Sequence, residues 1–174
     1  MKPIIIIISG TPGTGKTTLA KELLKILSKQ DFGYINVNEF IKNKVPHTFN
    51  KKLRCIEVDV KALAEELGQY IKNSDKNLII DSHLSHYLPS DIVDLCIITS
   101  CNISELNKRL AARGYSREKI RDNLDSEIFE VCFSEALEKN HKVIKIDTTS
   151  DILYKEGLKK IKKEINHLLN KIRS

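Results

Sequence analysis

The sequence predicts a doubly wound α/β fold, a parallel sheet covered by helices on both faces. Three observations carry this expectation. Short β-branched apolar runs alternate with helical stripes along the chain, which is the signature of repeated strand–helix–strand crossovers. The runs are apolar throughout rather than alternating with polar residues, as strands buried on both faces must be. No repeat, low-complexity tract or linker interrupts the 174 residues, so the chain reads as one domain, 1–174.

Pro3 to Ser9, with five consecutive isoleucines, is the first buried strand. Gly10 to Gly15 cannot continue it, and Leu19, Leu23, Leu24 and Leu27 then fall at helical spacing. Tyr34-Ile-Asn-Val37 is a second strand, with Asn38 as N-cap of a short helix to about Lys42. Residues 43–58 are polar and read as an irregular loop. Val60, Leu63, Leu67 and Ile71 stripe a helix, and Asn77 to Asp81 is the next strand. Ile92 to Thr99 is another strand, with a helix from Ile103 to Leu110. Tyr115 opens one long helical stretch to about Leu137. Val143 to Ile146 is the last strand, and Ile152, Leu158, Ile161, Ile165, Leu168 and Ile172 stripe a terminal helix.

A composition of 41% apolar and 30% charged residues excludes a disordered chain. The isoleucine run is too short to cross a bilayer. Lys2 is the one charged residue before it, and no small-residue cleavage site follows, so no membrane association and a cytoplasmic location are expected. Cys55, Cys96, Cys101 and Cys132 form no Cys-x-x-Cys pair and read as reduced, packing thiols. Residues 151–174 hold seven basic residues against three acidic, most of the net charge of +6. That segment suits a solvated helix face, or contact with RNA or an acidic partner.

The chemistry concentrates in three places. Gly10-x-x-x-x-Gly15-Lys16-Thr17 lies between a strand and a helix, the setting in which a phosphate-binding loop works. Gly13, Thr14 and Gly15 let backbone N–H groups turn inward around phosphate. Lys16 reaches the β- and γ-phosphates, and Thr17 offers its hydroxyl to Mg²⁺. Asp81 closes the apolar run Leu78-Ile-Ile80 and is the second expected Mg²⁺ residue. His83, two residues on, is a candidate for orienting water at near-neutral pKa. His83-x-x-His86 has metal-like spacing but no carboxylate or cysteine in register. Arg109, Arg113, Arg117 and Arg121 flank Gly114, the composition of a closing lid that neutralises phosphoryl charge. No Asn-Lys-x-Asp occurs, so the guanine reader of GTPases is absent and ATP is favoured.

Together, GTPGTGKTT (10–18), YINV (34–37), LIIDSH (78–83) and RGYSREKIRDNLDSEIF (113–129) resemble the adenylate kinase isoenzyme 6 family over about the first 130 residues. The resemblance implies a P-loop nucleoside-monophosphate-kinase fold with a monophosphate-binding segment at about 36–59 and a lid at about 112–122. It implies ATP and AMP as substrates, an ATPase activity, and a role in small-ribosomal-subunit maturation through a platform ribosomal protein; the basic segment 151–174 then offers rRNA as a further candidate contact. Onto this chain it carries an ATP loop at Gly13, Gly15, Lys16, Thr17 and Thr18, a Walker-B pair at Asp81 and His83, and a lid arginine at Arg113. Ordinary adenylate kinases hold the AMP phosphate with an Arg soon after the third-strand Asp. Here the stretch reads Asp-Ser-His-Leu-Ser-His, leaving Asn38 and Lys42 as the substrate-binding candidates. Two readings follow. In the first, the chain is a monophosphate kinase; in the second, it is an assembly factor whose ATP hydrolysis remodels a ribosomal partner. A kinase for another small acceptor shares the loop alone.

Overall fold

A computed structural model describes residues 2–50 and 55–173, with the side chains of Cys55, Ile172 and Arg173 also outside the description. Five parallel strands form one sheet in the order β2-β5-β1-β6-β7. They are β1 (Ile5–Ser9), β2 (Phe32–Asn36), β5 (Asn77–Asp81), β6 (Leu95–Ser100) and β7 (Val143–Asp147). The isoleucine run explains why β1 is central. Ile5 and Ile7 enter one core cluster and Ile4, Ile6 and Ile8 the other, because successive side chains leave opposite faces of a strand. Either face alone would leave half of them in water.

On one face pack α2 (Val37–Lys44), α3 (Val60–Lys72) and α6 (Val131–Glu138), supplying Ile41, Leu63, Leu67 and Ala136. On the other lie α1 (Lys16–Ile26) and α7 (Asp151–Arg173), supplying Leu19, Leu23, Leu158, Ile161 and Ile165. A third cluster of Cys101, Leu106 and Leu110 joins α4 (Ile103–Ala112) to Tyr115 and to Ile120 and Leu124 of α5 (Arg117–Ile128). Among the described residues no helix is long and apolar enough to cross a membrane.

The structure differs from expectation in four stretches. Residues 43–58 are not irregular: β3 (His47–Asn50) pairs antiparallel with β4 (Cys55–Val58), and the basic residues 51–54 between them lie outside the described residues. The helix expected over 115–137 is two, because Glu130 takes φ 50, a left-handed value that ends the regular ladder and turns the chain into α6. The N-cap of α2 is Asn36 rather than Asn38. Its Oδ1 accepts from Glu39 N, so the helix starts one residue after β2 ends. Ser90–Ile92 forms a 3₁₀ turn, which delays β6 to Leu95.

The chain order reverses at β1, with β5 on one side and β6 on the other. In open parallel sheets ligands bind outside the carboxyl ends of the strands at such a point.

Candidate active site

The Gly10–Gly15 loop leaves the carboxyl end of β1 at that reversal. Gly10 has φ 132, and a Cβ there would stand 2.3 Å from the Thr99 carbonyl oxygen, so backbone and loop touch where only glycine fits. Gly13 has φ 96, and a Cβ on it would lie 2.8 Å from Leu106. The loop is also bound sideways. Thr14 Oγ1 lies 2.6 Å from Thr99 Oγ1, and Thr148 Oγ1 donates to the Thr14 carbonyl at 2.8 Å. A loop held this way is braced at the positive end of α1, where backbone N–H groups favour an anion.

Lys16 Nζ donates to the carbonyls of Gly10 at 2.7 Å and Thr11 at 3.0 Å. Removal of the ammonium from water lowers its pKa to about 8, a shift that nearby Asp81 partly opposes and Arg113 reinforces. Thr17 Oγ1 donates to Asp81 Oδ2 at 2.5 Å, and the Tyr34 hydroxyl donates to the same oxygen at 3.0 Å. A hydroxyl and a carboxylate in contact beside the loop form a hard-oxygen pair of the kind Mg²⁺ takes, and their residue types fit that ion.

Around this floor opens a cleft of 690 Å³. One wall is Asn36, Asn38 and Lys42 with Phe49 and Ile56 of the β3–β4 hairpin. The opposite wall is Arg113 and Tyr115 with Lys119, Asn123 and Ser126, one face of α5. His83 stands on the floor beside them. Protein atoms crowding its ring, and the charges of Lys16, His86 and Lys119, push its pKa down to about 4. The side chain is exposed to the cleft, so it is the direction of this shift, below the near-neutral value expected from sequence, that counts, and it leaves the imidazole uncharged at pH 7.

A second pocket of 510 Å³ lies across the loop, lined by Gly13, Gly15 and Thr18, by Arg109 and Arg113, and by residues 148–151 and Tyr154. Arg109 belongs here and not among the lid arginines. Its guanidinium donates to Glu105 Oε1 at 3.1 Å and to the Thr148 hydroxyl and carbonyl at 3.1 and 2.7 Å. Those bonds fix it as a pocket wall. Arg113 lines both pockets, at the end of α4, where Gly114 with φ 69 turns the chain toward α5. Arg117 and Arg121 line neither pocket; Lys119 takes the cleft position, with its ammonium 4.4 Å from the Tyr115 ring centroid.

His86 is buried away from the cleft. It bonds Ser9 Oγ at 2.7 Å and Glu135 Oε2 at 2.7 Å, while its carbonyl accepts from His141. Both ring nitrogens are thus engaged by protein, and among the described residues no group of three metal-type side chains assembles. Of the cysteines, Cys96 and Cys101 are buried free thiols and Cys132 lines the cleft, its thiol pushed up to about 11 by burial.

Sequence reasoning did not single out Tyr34 as a partner of Asp81, Asn36 as a cleft residue, or the 148–151 turn as a pocket wall. For the first, the signal was present. Tyr34 and Asn36 share a strand face, and Asn36 pairs with Asp81.

The AAA domain family matches residues 6–130 of this chain. A Thermococcus kodakarensis protein named "Putative adenylate kinase" is 39% identical over 146 residues, covering 84% of this chain and 77% of that one. A Pyrococcus furiosus protein of the same name is 36% identical over 171 residues, covering 98% and 85%. A gluconokinase structure from Sinorhizobium meliloti superposes with a TM-score of 0.58 over 98% of each chain at 13% identity, a likeness of fold alone. With its phosphate loop at the strand reversal and relatives of this identity over most of its length, the chain belongs to the atypical adenylate kinase family of P-loop kinases.

Proposed function

We propose that the chain transfers the γ-phosphoryl of ATP to AMP, giving two ADP. One observation carries this reading. Two pockets meet at the phosphate loop and share Gly13, Gly15, Thr18 and Arg113. The pocket walled by Arg109 suits the donor base and ribose, and the cleft walled by Asn38 and Lys42 suits the acceptor phosphate. A donor γ-phosphate on the loop would then face the acceptor.

An AMP phosphate oxygen attacks the γ-phosphorus while the bond from that phosphorus to the β-bridging oxygen breaks. The attacking oxygen is already anionic, so no general base is needed. Lys16, released from the Gly10 and Thr11 carbonyls, supplies charge to the β- and γ-oxygens. Arg113 adds charge from the opposite side as the γ-oxygens become more exposed to it in the transition state. Thr17 and Asp81 would hold the Mg²⁺ that accompanies ATP and, when bound, neutralises part of the phosphate charge. Thr17 suits this because donating its proton to Asp81 leaves its oxygen lone pairs free. The segment 36–59 and the α4–α5 corner around 112–122 serve as the acceptor and lid parts.

A second activity, ATP hydrolysis, is favoured by His83. A neutral imidazole beside Lys16 and open to cleft water accepts a hydrogen bond from water. With hydrolysis goes the proposed role in small-subunit maturation, through a platform ribosomal protein and rRNA. The exposed lysines 155, 159, 160, 162 and 163 of α7 offer such partners a basic face.

The test is ADP formation from ATP and Mg²⁺ with and without each nucleoside monophosphate, at matched protein concentration. AMP-dependent ADP formation well above the monophosphate-free rate is expected. Equal rates with and without every monophosphate would overturn the kinase reading and leave hydrolysis.

A further inference from the structure

Tyr34 sits on β2, the edge strand that pairs with β5. The register places Asn36 opposite Asp81, so Tyr34 lies one diagonal step back on the same face. A phenol is long enough to span that diagonal. Its ring is half-buried against the cluster beneath α1, which holds the side chain in place, and its hydroxyl ends on Asp81 Oδ2. Thr17 donates to the same oxygen. Two donors on one carboxylate oxygen restrain rotation of the carboxylate, and Oδ1 takes part in neither bond.

We propose that Tyr34 is a positioning residue for the cation site. It fixes Asp81 so that one carboxylate oxygen is committed to protein donors and the other is presented to the metal of the metal–nucleotide complex. This inference rests on the Mg²⁺ role given above to Thr17 and Asp81. Without the phenol, Thr17 alone restrains the carboxylate, which then rotates about its bond to Cβ and presents its free oxygen only part of the time. Tyrosine serves here where phenylalanine would pack equally well, because the hydroxyl alone reaches the carboxylate.

The experiment is a set of calorimetric titrations of ATP, with Mg²⁺ varied and also without Mg²⁺, on wild type, Tyr34→Phe, Asp81→Ala and the double variant. Thermal melts run alongside. Phenylalanine keeps the ring packing, so the melt should move little. A hydrogen bond to a charged carboxylate corresponds to about a tenfold effect, so the Mg²⁺ midpoint of Tyr34→Phe should rise about tenfold while metal-free ATP affinity holds. In the Asp81→Ala background, Tyr34→Phe should add nothing further, since its target is gone. A Tyr34→Phe midpoint equal to wild type, or full additivity with Asp81→Ala, overturns the proposal. If Asp81→Ala itself leaves the midpoint unchanged, the cation site has been misplaced and the underlying reading falls with it. A shift in Asp81→Ala without one in Tyr34→Phe removes the positioning role alone.

Discussion

Lys16 makes a testable demand on pH. Burial holds its pKa near 8 in the nucleotide-free protein, against 10.5 for an ordinary lysine. A bound triphosphate surrounds the ammonium with negative charge and restores the charged form. ATP binding above pH 8 must therefore take up a proton, and affinity must fall as pH rises. With a pKa of about 8, roughly nine-tenths of the lysines are charged at pH 7 and roughly one-tenth at pH 9. The association constant should therefore drop about tenfold across that interval, and water reaching the half-buried ammonium makes tenfold the ceiling. Folding stability moves the other way. The unfolded chain binds more protons between pH 8 and 10.5, so the contribution of this group to stability rises with pH in that window. The assay is calorimetric ATP titration at several pH values in buffers of different ionisation enthalpy, which counts protons directly. Uptake near zero at pH 7, about one-half at pH 8 and approaching one at pH 9 is expected. Lys16→Arg, whose side chain does not titrate here, should flatten the profile. Affinity that stays level to pH 10 with no proton uptake in wild type would refute the burial argument.

Asp81→Asn should raise the Mg²⁺ midpoint for ATP binding by about tenfold or more and change metal-free ATP affinity little, because the amide keeps the shape and loses the charge; an unmoved midpoint would make Asp81 structural. Arg113→Ala should cut turnover by about tenfold or more with a smaller change in ATP affinity, whereas Arg109→Ala should weaken ATP binding and spare turnover at saturation; indistinguishable effects would dissolve the division of the two arginines between pockets. His83→Ala should lower ATP hydrolysis relative to AMP phosphorylation, a rate ratio insensitive to active fraction, and an unchanged ratio would leave His83 with a shaping role only. Lys42→Arg should lower the KM for AMP and Lys42→Ala should raise it, since a guanidinium fork grips phosphate at two points; an AMP KM blind to both would place the acceptor elsewhere.

The parts of this site legible in the sequence are those set by local physics. A β-branched run, a glycine loop and a leucine stripe fix the loop between β1 and α1. The apolar run ending in Asp81 fixes that carboxylate at a strand end. What stayed hidden depends on contacts between distant segments. Arg109 and Arg113 are both arginines at the end of α4. Thr148, carried in from the turn after β7, joins Glu105 in tying Arg109 to the wall of the second pocket. The β3–β4 hairpin escaped because its strands are four residues each, too short to show a period. The break at Glu130 has no glycine or proline to announce it, and a non-glycine residue carries the positive φ.

On the proposed reading the donor pocket and the acceptor side of the cleft are chemically unequal, and that inequality bears on the balance between transfer and hydrolysis. The donor pocket would hold ATP with backbone N–H groups, a lysine, and Arg109, which three hydrogen bonds pin in place. Among the described residues lining the acceptor wall, Lys42 is the cation, and it brings a point charge without a fork. A loosely held acceptor phosphate spends less of its time in line with the γ-phosphorus, and each displaced acceptor leaves room for water beside His83. On that reading one cleft would serve both reactions. Their ratio would then be set by how firmly the acceptor wall closes rather than by separate machinery for each, because Lys16, Asp81 and Arg113 would act on the γ-phosphoryl group and the departing ADP in either case.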